Sequence, residues 1–148
     1  MVERQQVVRL GQMVRLREAK TLLAAEQARL LRAERDGADD NRQRSLQSRD
    51  GARDLWQRLL GEMKPDPQLF TISGSWLLEQ ERQLEARELD LAIARNHYEN
   101  AQADHAQTLA CEASTRRIQA KSRKAMEKYL EERQSLQLAD SLLWRWRR

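Results

Sequence analysis

Three side chains in this sequence are of types that could carry metal or nucleophilic chemistry: His97, His105 and Cys111. Zinc needs several converging His, Cys or carboxylate ligands, and a nucleophilic thiol needs an adjacent base. The two histidines are eight residues apart and share a rough helix face, but no HExxH motif and no second cysteine accompany them. We therefore expect His105 to be a polar residue between packed helices, Cys111 to be a small packing residue, and the chain to use no metal or other cofactor.

Motifs for binding nucleotides are also missing, because the sequence contains neither GxxxxGK[ST] nor GxGxxG. The chain has 148 residues, which is the size of one domain, with only 5 Gly, 2 Pro and 1 Phe. Ala, Leu, Glu, Gln and Arg dominate, and this composition is typical of a long helix or coiled coil. A coiled coil offers no enclosed pocket. The sequence therefore predicts a protein that is not an enzyme and has no small-molecule substrate.

Sequence features that direct a chain across or into a membrane are not found. The N-terminus is polar where a signal peptide would be apolar, and no run of about 18 apolar residues occurs. A single cysteine also gives no sign of an oxidising compartment. We expect a cytoplasmic protein that is peripheral to a membrane at most.

The residues that break helices are concentrated near the middle of the chain. Lys64-Pro65-Asp66-Pro67 stops a helix, and Ser73-Gly74-Ser75 follows, with Ser75 as the expected cap of the next helix. The prediction is one all-α domain over residues 1–148, a long antiparallel two-helix coiled-coil hairpin. Its parts are a helix over 3–63, a turn over 64–75 and a helix over 76–145.

Apolar residues repeat at intervals of seven, as in the seam between two coiled helices. The expected seam residues are Leu16, Leu23 and Leu30 in the first helix, and Leu77, Leu84, Leu91, Tyr98, His105, Glu112, Gln119 and Met126 in the second. Folding about the predicted turn makes residue i face residue 139 − i, so Leu10 faces Tyr129. Residues 139–148 then extend beyond the first helix.

The seam is weakest over residues 34–54, where Leu46 is one of few large apolar side chains. Gly37, Gly51 and several aspartates in this stretch disfavour a helix interior. Either the hairpin opens locally here, or the first helix breaks near Gly37 to give three helices. We prefer the two-helix hairpin, because the second helix has no matching break and needs a partner throughout.

Charge is unevenly distributed along the chain, although the net charge is only +4. Residues 1–35 carry 8 basic and 4 acidic side chains, residues 114–148 carry 10 and 4, and residues 36–113 carry 9 and 15. A hairpin brings the two basic segments together. This basic end could bind an acidic protein surface or the phosphates of a nucleic acid, or it could be an ordinary solvated surface.

Apolar residues occur at both ends of the predicted hairpin, where there is little core to bury them. Trp144-Arg145-Trp146-Arg147-Arg148 lies beyond the first helix, and Trp and Arg are enriched where proteins bind one another. This segment could instead fold back as a cap or lie on a membrane surface. At the turn, Leu69, Phe70, Ile72 and Trp76 either close the hairpin or form a second contact site.

The whole chain resembles the FliJ/YscO family, from Val2-Glu3-Arg4 through the Lys64–Ser75 turn to Trp144–Arg148. The resemblance lies in length, in the two helices around a proline turn, and in strings such as Leu16-Arg17-Glu18-Ala19 and Leu130-Glu131-Glu132-Arg133. Proteins of that family are the central stalks of the export ATPases of flagellar and virulence type III secretion systems. The resemblance implies partners of three kinds: a hexameric secretion ATPase, an export gate protein and secretion chaperones.

On this resemblance the protein acts without catalysis, in the cytoplasm at the inner-membrane secretion apparatus. Its basic terminal end would dock in the ATPase ring, and its tip would contact the export gate or chaperones. From position and chemistry, the expected ATPase contacts are Arg4, Arg9, Arg15, Arg117, Lys121, Lys124, Lys128, Trp144 and Trp146. The expected tip contacts are Phe70, Ile72 and Trp76.

Two other functions fit the same sequence. The first is a basic coiled-coil protein that binds nucleic acid or acts as a scaffold, although the acidic middle disfavours a long nucleic-acid groove. The second is a structural coiled coil whose helices pair between chains, for instance as a swapped dimer.

Overall fold

The computed structural model describes the backbone of residues 2–146 and the side chains of residues 4–146. Helix α1 runs over Val2–Leu60 and helix α2 over Pro67–Trp146, and these residues contain no strand. The two helices pack against each other, which confirms the all-α helical hairpin. Contacts divide the chain into two compact units. The terminal unit comprises residues 1–24 and 104–148, and the turn unit comprises residues 25–103.

The connection between the helices is shorter than predicted, because α2 begins at Pro67 rather than at Trp76. Asp66 is the N-cap in place of Ser75: its Oδ1 accepts a hydrogen bond from the backbone N–H of Gln68 at 2.9 Å. Proline suits the first position of a helix, since its missing N–H would have no partner there. Asp-Pro therefore starts a helix here, where the sequence had suggested only that Pro ends one.

Residues expected in the turn instead lie within the first two turns of α2 and pack against α1. The Phe70 ring lies on the Trp56 ring, with centroids 4.1 Å apart and planes at 34°. Ser73 is 3% exposed, and its hydroxyl donates to the backbone carbonyl of Leu69 at 2.8 Å. A Cβ added to Gly74 would lie 2.8 Å from the Trp56 ring. This glycine thus permits the close approach of the two helices beside the turn.

The glycines of the turn unit should therefore respond to alanine with opposite signs. Gly74→Ala is expected to lower the free energy of unfolding by about 1 kcal/mol, because the cost of overpacking exceeds the gain in helix propensity. Gly37→Ala and Gly51→Ala have nothing within 4 Å of the added Cβ and should each raise it by about 1 kcal/mol. Thermal unfolding followed by circular dichroism measures all three, and a stabilised Gly74→Ala variant would contradict the packing argument.

The seam of α1 lies on a different face from the predicted one. Leu16, Leu23 and Leu30 are 58%, 72% and 52% exposed, so their assignment to the seam was wrong. The buried residues repeat at the same interval two positions earlier, at Val14, Thr21 and Ala28, and two further buried residues, Ala52 and Leu59, are also seven apart, on the row three positions later. Most of these side chains are small, which is why a search for large apolar residues chose the wrong face.

The seam of α2 has the predicted phase. Leu84 and Leu91 are buried, and Leu77, Tyr98, His105, Glu112, Gln119 and Met126 are half-buried. The small or polar residues Ser73, Ala101 and Thr115 complete it, at 3–8% exposure. The core is thus a narrow line of side chains in which no large side chain of the described residues is fully buried.

Pairing between the helices is shifted from the predicted register. In the terminal unit, Arg116 contacts Glu18, and a Cβ on Gly11 would lie 3.4 Å from Gln119. These paired residue numbers add up to 134 and 130, rather than to the expected 139. The shift follows from the earlier start of α2, which moves the midpoint of the connection toward the N-terminus.

The weak part of the seam remains helical, and α1 continues through Gly37 and Gly51 without a break. Arginines occupy successive seam positions here, at Arg35, Arg42 and Arg49. Arg35 lies over the Tyr98 ring at 4.6 Å from its centroid, and Arg42 approaches Glu88 at 3.7 Å. The alternative with a break near Gly37 is therefore wrong, and the stems of long cationic side chains fill the seam instead.

Candidate protein-docking site

The terminal unit is the basic part of the molecule. It contains 15 basic and 8 acidic residues, whereas the turn unit contains 12 and 15, so the formal charges are +7 and −3. All nine expected ATPase-contact residues belong to the terminal unit, and every one of them is exposed. Helix pairing in this unit therefore assembles the predicted basic surface from both ends of the chain.

Four of these cations form one stripe on α2. Arg117, Lys121, Lys124 and Lys128 follow each other at intervals of four, three and four residues, which keeps them on one face of a helix. The seam residues Thr115, Gln119 and Ser122 lie on the other side of α2, so this basic stripe faces outward. Lys128 has a weak contact of 4.0 Å with Glu132, whereas no ion pair of Arg117, Lys121 or Lys124 occurs in the described part of the chain. The stripe therefore presents cations that are available to an acidic partner.

The exposed end of α2 is longer than predicted. Each side chain from Glu127 to Trp146 is exposed, and we call these 20 residues (127–146) the overhang. Trp146 is 89% exposed and Trp144 is 62% exposed. Exposed leucines lie along the same segment: Leu130, Leu136, Leu138, Leu142 and Leu143. Arg147 and Arg148 lie outside the described residues. The overhang thus combines exposed tryptophan and leucine side chains, which are common in protein contacts, with charges of both signs.

Helix α1 carries a second exposed apolar surface in the terminal unit, which includes Leu16 and Leu23, two residues that the sequence had predicted in the seam. We call it the apolar ridge, and its members on one face are Val8, Leu16, Ala19 and Leu23, with the exposed Met13 and Leu22 on its two flanks. The leucines of the ridge are 58–72% exposed. Arg9, Arg15 and Lys20 lie among them and are also exposed. The repeat of leucines at seven was the available signal for this surface, but it indicates a helix-packing face without indicating which partner covers it.

One ion pair links the two helices of the terminal unit on the seam side. Arg116 Nη2 lies 2.7 Å from Glu18 and 2.8 Å from Glu112, and Glu112 is half-buried. Arg116 was not among the predicted contact residues. It satisfies two carboxylates at the seam, whereas its neighbour Arg117 points outward, so adjacent arginines have different roles.

The three expected tip residues differ in exposure. Ile72 and Trp76 are 67% and 42% exposed, whereas Phe70 is half-buried against Trp56. Met63 in the connection and Leu60 at the end of α1 are also exposed, and the sequence had not singled them out. Ile72, Trp76, Leu60 and Met63 are thus available for contact in the turn unit, while Phe70 supports the helix pair.

Polar side chains of the turn unit line a shallow groove beside the Arg35–Tyr98 contact. Asp36 and Asp39 lie on one helix, and Arg95 and Glu99 on the other. A hydrogen bond to Asp36 raises the pKa of the Arg35 guanidinium. On the exposed surface nearby, a hydrogen bond from Arg29 lowers the pKa of the Glu26 carboxyl. Both are charge pairs between residues close in sequence on α1.

The side chains considered for chemistry are dispersed along α2. His105 is half-buried at a seam position and Cys111 is a half-buried free thiol, whereas His97 is exposed. Within residues 4–146, no group of three or more His, Cys, Asp or Glu side chains could hold a metal ion. Neither helix has, over its described residues, an apolar stretch sufficient to span a membrane.

The chain has no significant match among protein-family models, curated proteins or solved structures. We therefore infer its function from the sequence and from the geometry of each of the two units.

Proposed function

We propose that this chain is the stalk protein of a type III secretion export ATPase, as the resemblance to the FliJ/YscO family implies. In this role the terminal unit docks in the channel of the hexameric ATPase and promotes its assembly or activity. The turn unit then contacts the export gate protein or secretion chaperones through Ile72 and Trp76. The protein works in the cytoplasm at the inner-membrane apparatus and performs no catalysis itself.

The observation that carries this proposal is the concentration of exposed cations and exposed helix in the terminal unit, where Arg117, Lys121 and Lys124 make no ion pair with the described residues. A segment that enters a protein channel is surrounded by its partner, so it needs contact groups on several faces. The basic stripe supplies them on one outward face of α2, and the overhang is exposed at every position along its length. Acidic loops in a ring would attract this charge and speed the encounter.

The test is stimulation of ATP hydrolysis by a type III export ATPase from the same organism. The wild-type chain is expected to raise the rate of the ATPase. Reversing the stripe with Arg117→Glu, Lys121→Glu and Lys124→Glu should raise the half-saturating concentration at least about tenfold, since close charge pairs become repulsive. Added salt should weaken the wild-type effect for the same reason.

A matched control reverses three exposed arginines of the turn unit, with Arg53→Glu, Arg58→Glu and Arg82→Glu. This variant changes the net charge equally, and we expect it to stimulate like the wild type. An equal rise in the half-saturating concentration for both triple variants would show that stimulation depends only on the net charge of the chain. That result would refute docking through the stripe. No stimulation by a folded wild-type chain at any ratio would refute the proposed function.

Nucleic-acid binding is the second candidate, because the terminal unit carries a formal charge of +7. Phosphate contacts would give an affinity for DNA or RNA that falls steeply with salt. Fluorescence anisotropy with labelled duplex DNA and single-stranded RNA measures this directly. Tight binding that the stripe reversal abolishes, together with no effect on the ATPase, would favour this candidate.

A further inference from the structure

The apolar ridge of α1 lies on the side of the helix that faces away from α2. Leu16 follows the buried Val14 by two residues, and Leu23 follows the buried Thr21 by two. Two residues correspond to about 200° around an α-helix. Between residues 7 and 24, α1 therefore carries apolar side chains on two opposite sides, although α2 covers only one of them and the polar Gln12 lies among those of the exposed side.

Apolar side chains that share one face of a surface helix normally pack against another element. Single exposed leucines need no explanation, but this ridge has four apolar members on one face within about four helical turns. Its leucines repeat at seven, and Ala19 lies between Leu16 and Leu23 at intervals of three and four. This is the spacing with which one helix receives another along a coiled-coil seam. The spacing of the ridge therefore fits an α-helix of a partner, packed on the face of α1 opposite α2.

The charges beside the ridge define the chemistry of that helix. Arg9, Arg15 and Lys20 are exposed on this face, and none of them makes an ion pair with the residues that the structure describes. Carboxylates on both flanks of an incoming apolar stripe would pair with these cations. We propose that the apolar ridge binds an acidic amphipathic helix of a partner protein, which packs as a third helix on the terminal unit.

Charge also argues against a second copy of this chain in a symmetric ridge-to-ridge contact. Such a dimer would bring Arg9, Arg15 and Lys20 close to their own copies, and like charges at an interface are unfavourable. The ridge spans residues 8–23, or about 23 Å at 1.5 Å per residue. One helix face of this length gives a small interface, which is typical of transient binding. We therefore expect an affinity in the micromolar range.

The experiment uses the full chain and two designed peptides of 28 residues. Both peptides have leucine at the two seam positions of each heptad. One has glutamate at all flanking positions, and the other has lysine there. Repulsion between like flanking charges keeps each peptide from pairing with itself. The acidic peptide is expected to bind the chain at least about tenfold more tightly than the basic one at low salt.

Two variants locate the binding site. Leu16→Glu with Leu23→Glu should abolish binding of the acidic peptide, because it puts carboxylates in the ridge opposite carboxylates of the peptide. Leu136→Glu with Leu143→Glu makes the same change in the overhang and should leave binding intact. Both pairs are exposed, so circular dichroism should show the wild-type fold in each variant.

The proposal is overturned if both peptides bind equally, if neither binds, or if the overhang variant loses binding and the ridge variant keeps it. Sedimentation of the chain alone tests self-association, and a dimer that the ridge variant abolishes would assign the ridge to a second copy. This inference does not depend on the proposed function. ATPase stimulation is tested with the basic stripe on α2, whereas peptide binding is tested with the ridge on α1.

Discussion

Replacing Leu91 by alanine is expected to lower the free energy of unfolding by about 2–3 kcal/mol. Leu91 is 3% exposed and is among the few large apolar side chains that the hairpin buries. The loss combines the transfer energy of the removed methyl groups with the cost of the space they leave. A narrow hairpin has few other side chains that could move into this space, so the effect should be a large fraction of the total stability.

The matched control for this substitution is Leu89→Ala, two residues away in the same helix. Leu89 is 62% exposed, and its truncation should change the free energy of unfolding by less than about 0.5 kcal/mol. Urea unfolding followed by circular dichroism at 222 nm compares the two variants with the wild type. Equal losses at both positions would show that Leu91 does not lie in a packed seam.

Helix content and the place of reversal could be predicted because both follow from local chemistry. Ala, Leu, Glu and Arg favour helix throughout, and the two prolines concentrate the break around residues 65–67. The exact start of α2 required knowing that Asp66 caps the helix while Pro67 begins it. Ser73 and Gly74 resemble turn residues in sequence, but their small size serves the contact with Trp56 and the rest of α1.

The seam of α1 could not be chosen correctly from apolar periodicity alone. Two faces of this helix repeat at seven, one with large side chains at Leu16 and Leu23 and one with smaller ones at Val14 and Thr21. The helices pair through the face of smaller residues. Size therefore misled the prediction, because the larger apolar residues were taken to mark the covered face.

The sequence predicted the positive charge of the candidate site but not the length of its exposed helical segment. The predicted positive charge requires only that the two basic ends of the chain lie side by side. The terminal unit contains both of these ends. The overhang depends on the register, and the predicted turn was several residues too late, so the uncovered segment was expected to begin at residue 139. All side chains from Glu127 onward to Trp146 are exposed instead. A small error in the turn thus became a large difference in the predicted contact surface.

The arginine seam of the turn unit explains why residues 34–54 looked weak in sequence and yet form a continuous helix. The methylene stems of Arg35, Arg42 and Arg49 cover apolar surface, while their guanidinium groups reach toward Tyr98, Glu88 and Asp50. Placing arginines in the seam is energetically unfavourable at Arg49. Its Nε is buried and makes no hydrogen bond, although Asp50 Oδ1 lies 2.9 Å away. Burying a charged donor without a well-aligned acceptor is unfavourable.

Replacing two of these arginines with leucine should therefore stabilise the protein. For Arg42→Leu with Arg49→Leu we expect the free energy of unfolding to rise by about 1–3 kcal/mol, because apolar seam contacts replace an unsatisfied donor and a long ion pair. The control, Arg44→Leu with Arg53→Leu, changes the same charge at exposed positions and should stay within about 0.5 kcal/mol of the wild type. Thermal and urea unfolding measure both variants. A loss of stability in the seam variant would mean that the 3.7 Å contact of Arg42 with Glu88 contributes more than apolar packing could, and the arginines would then be a stabilising feature of the turn unit.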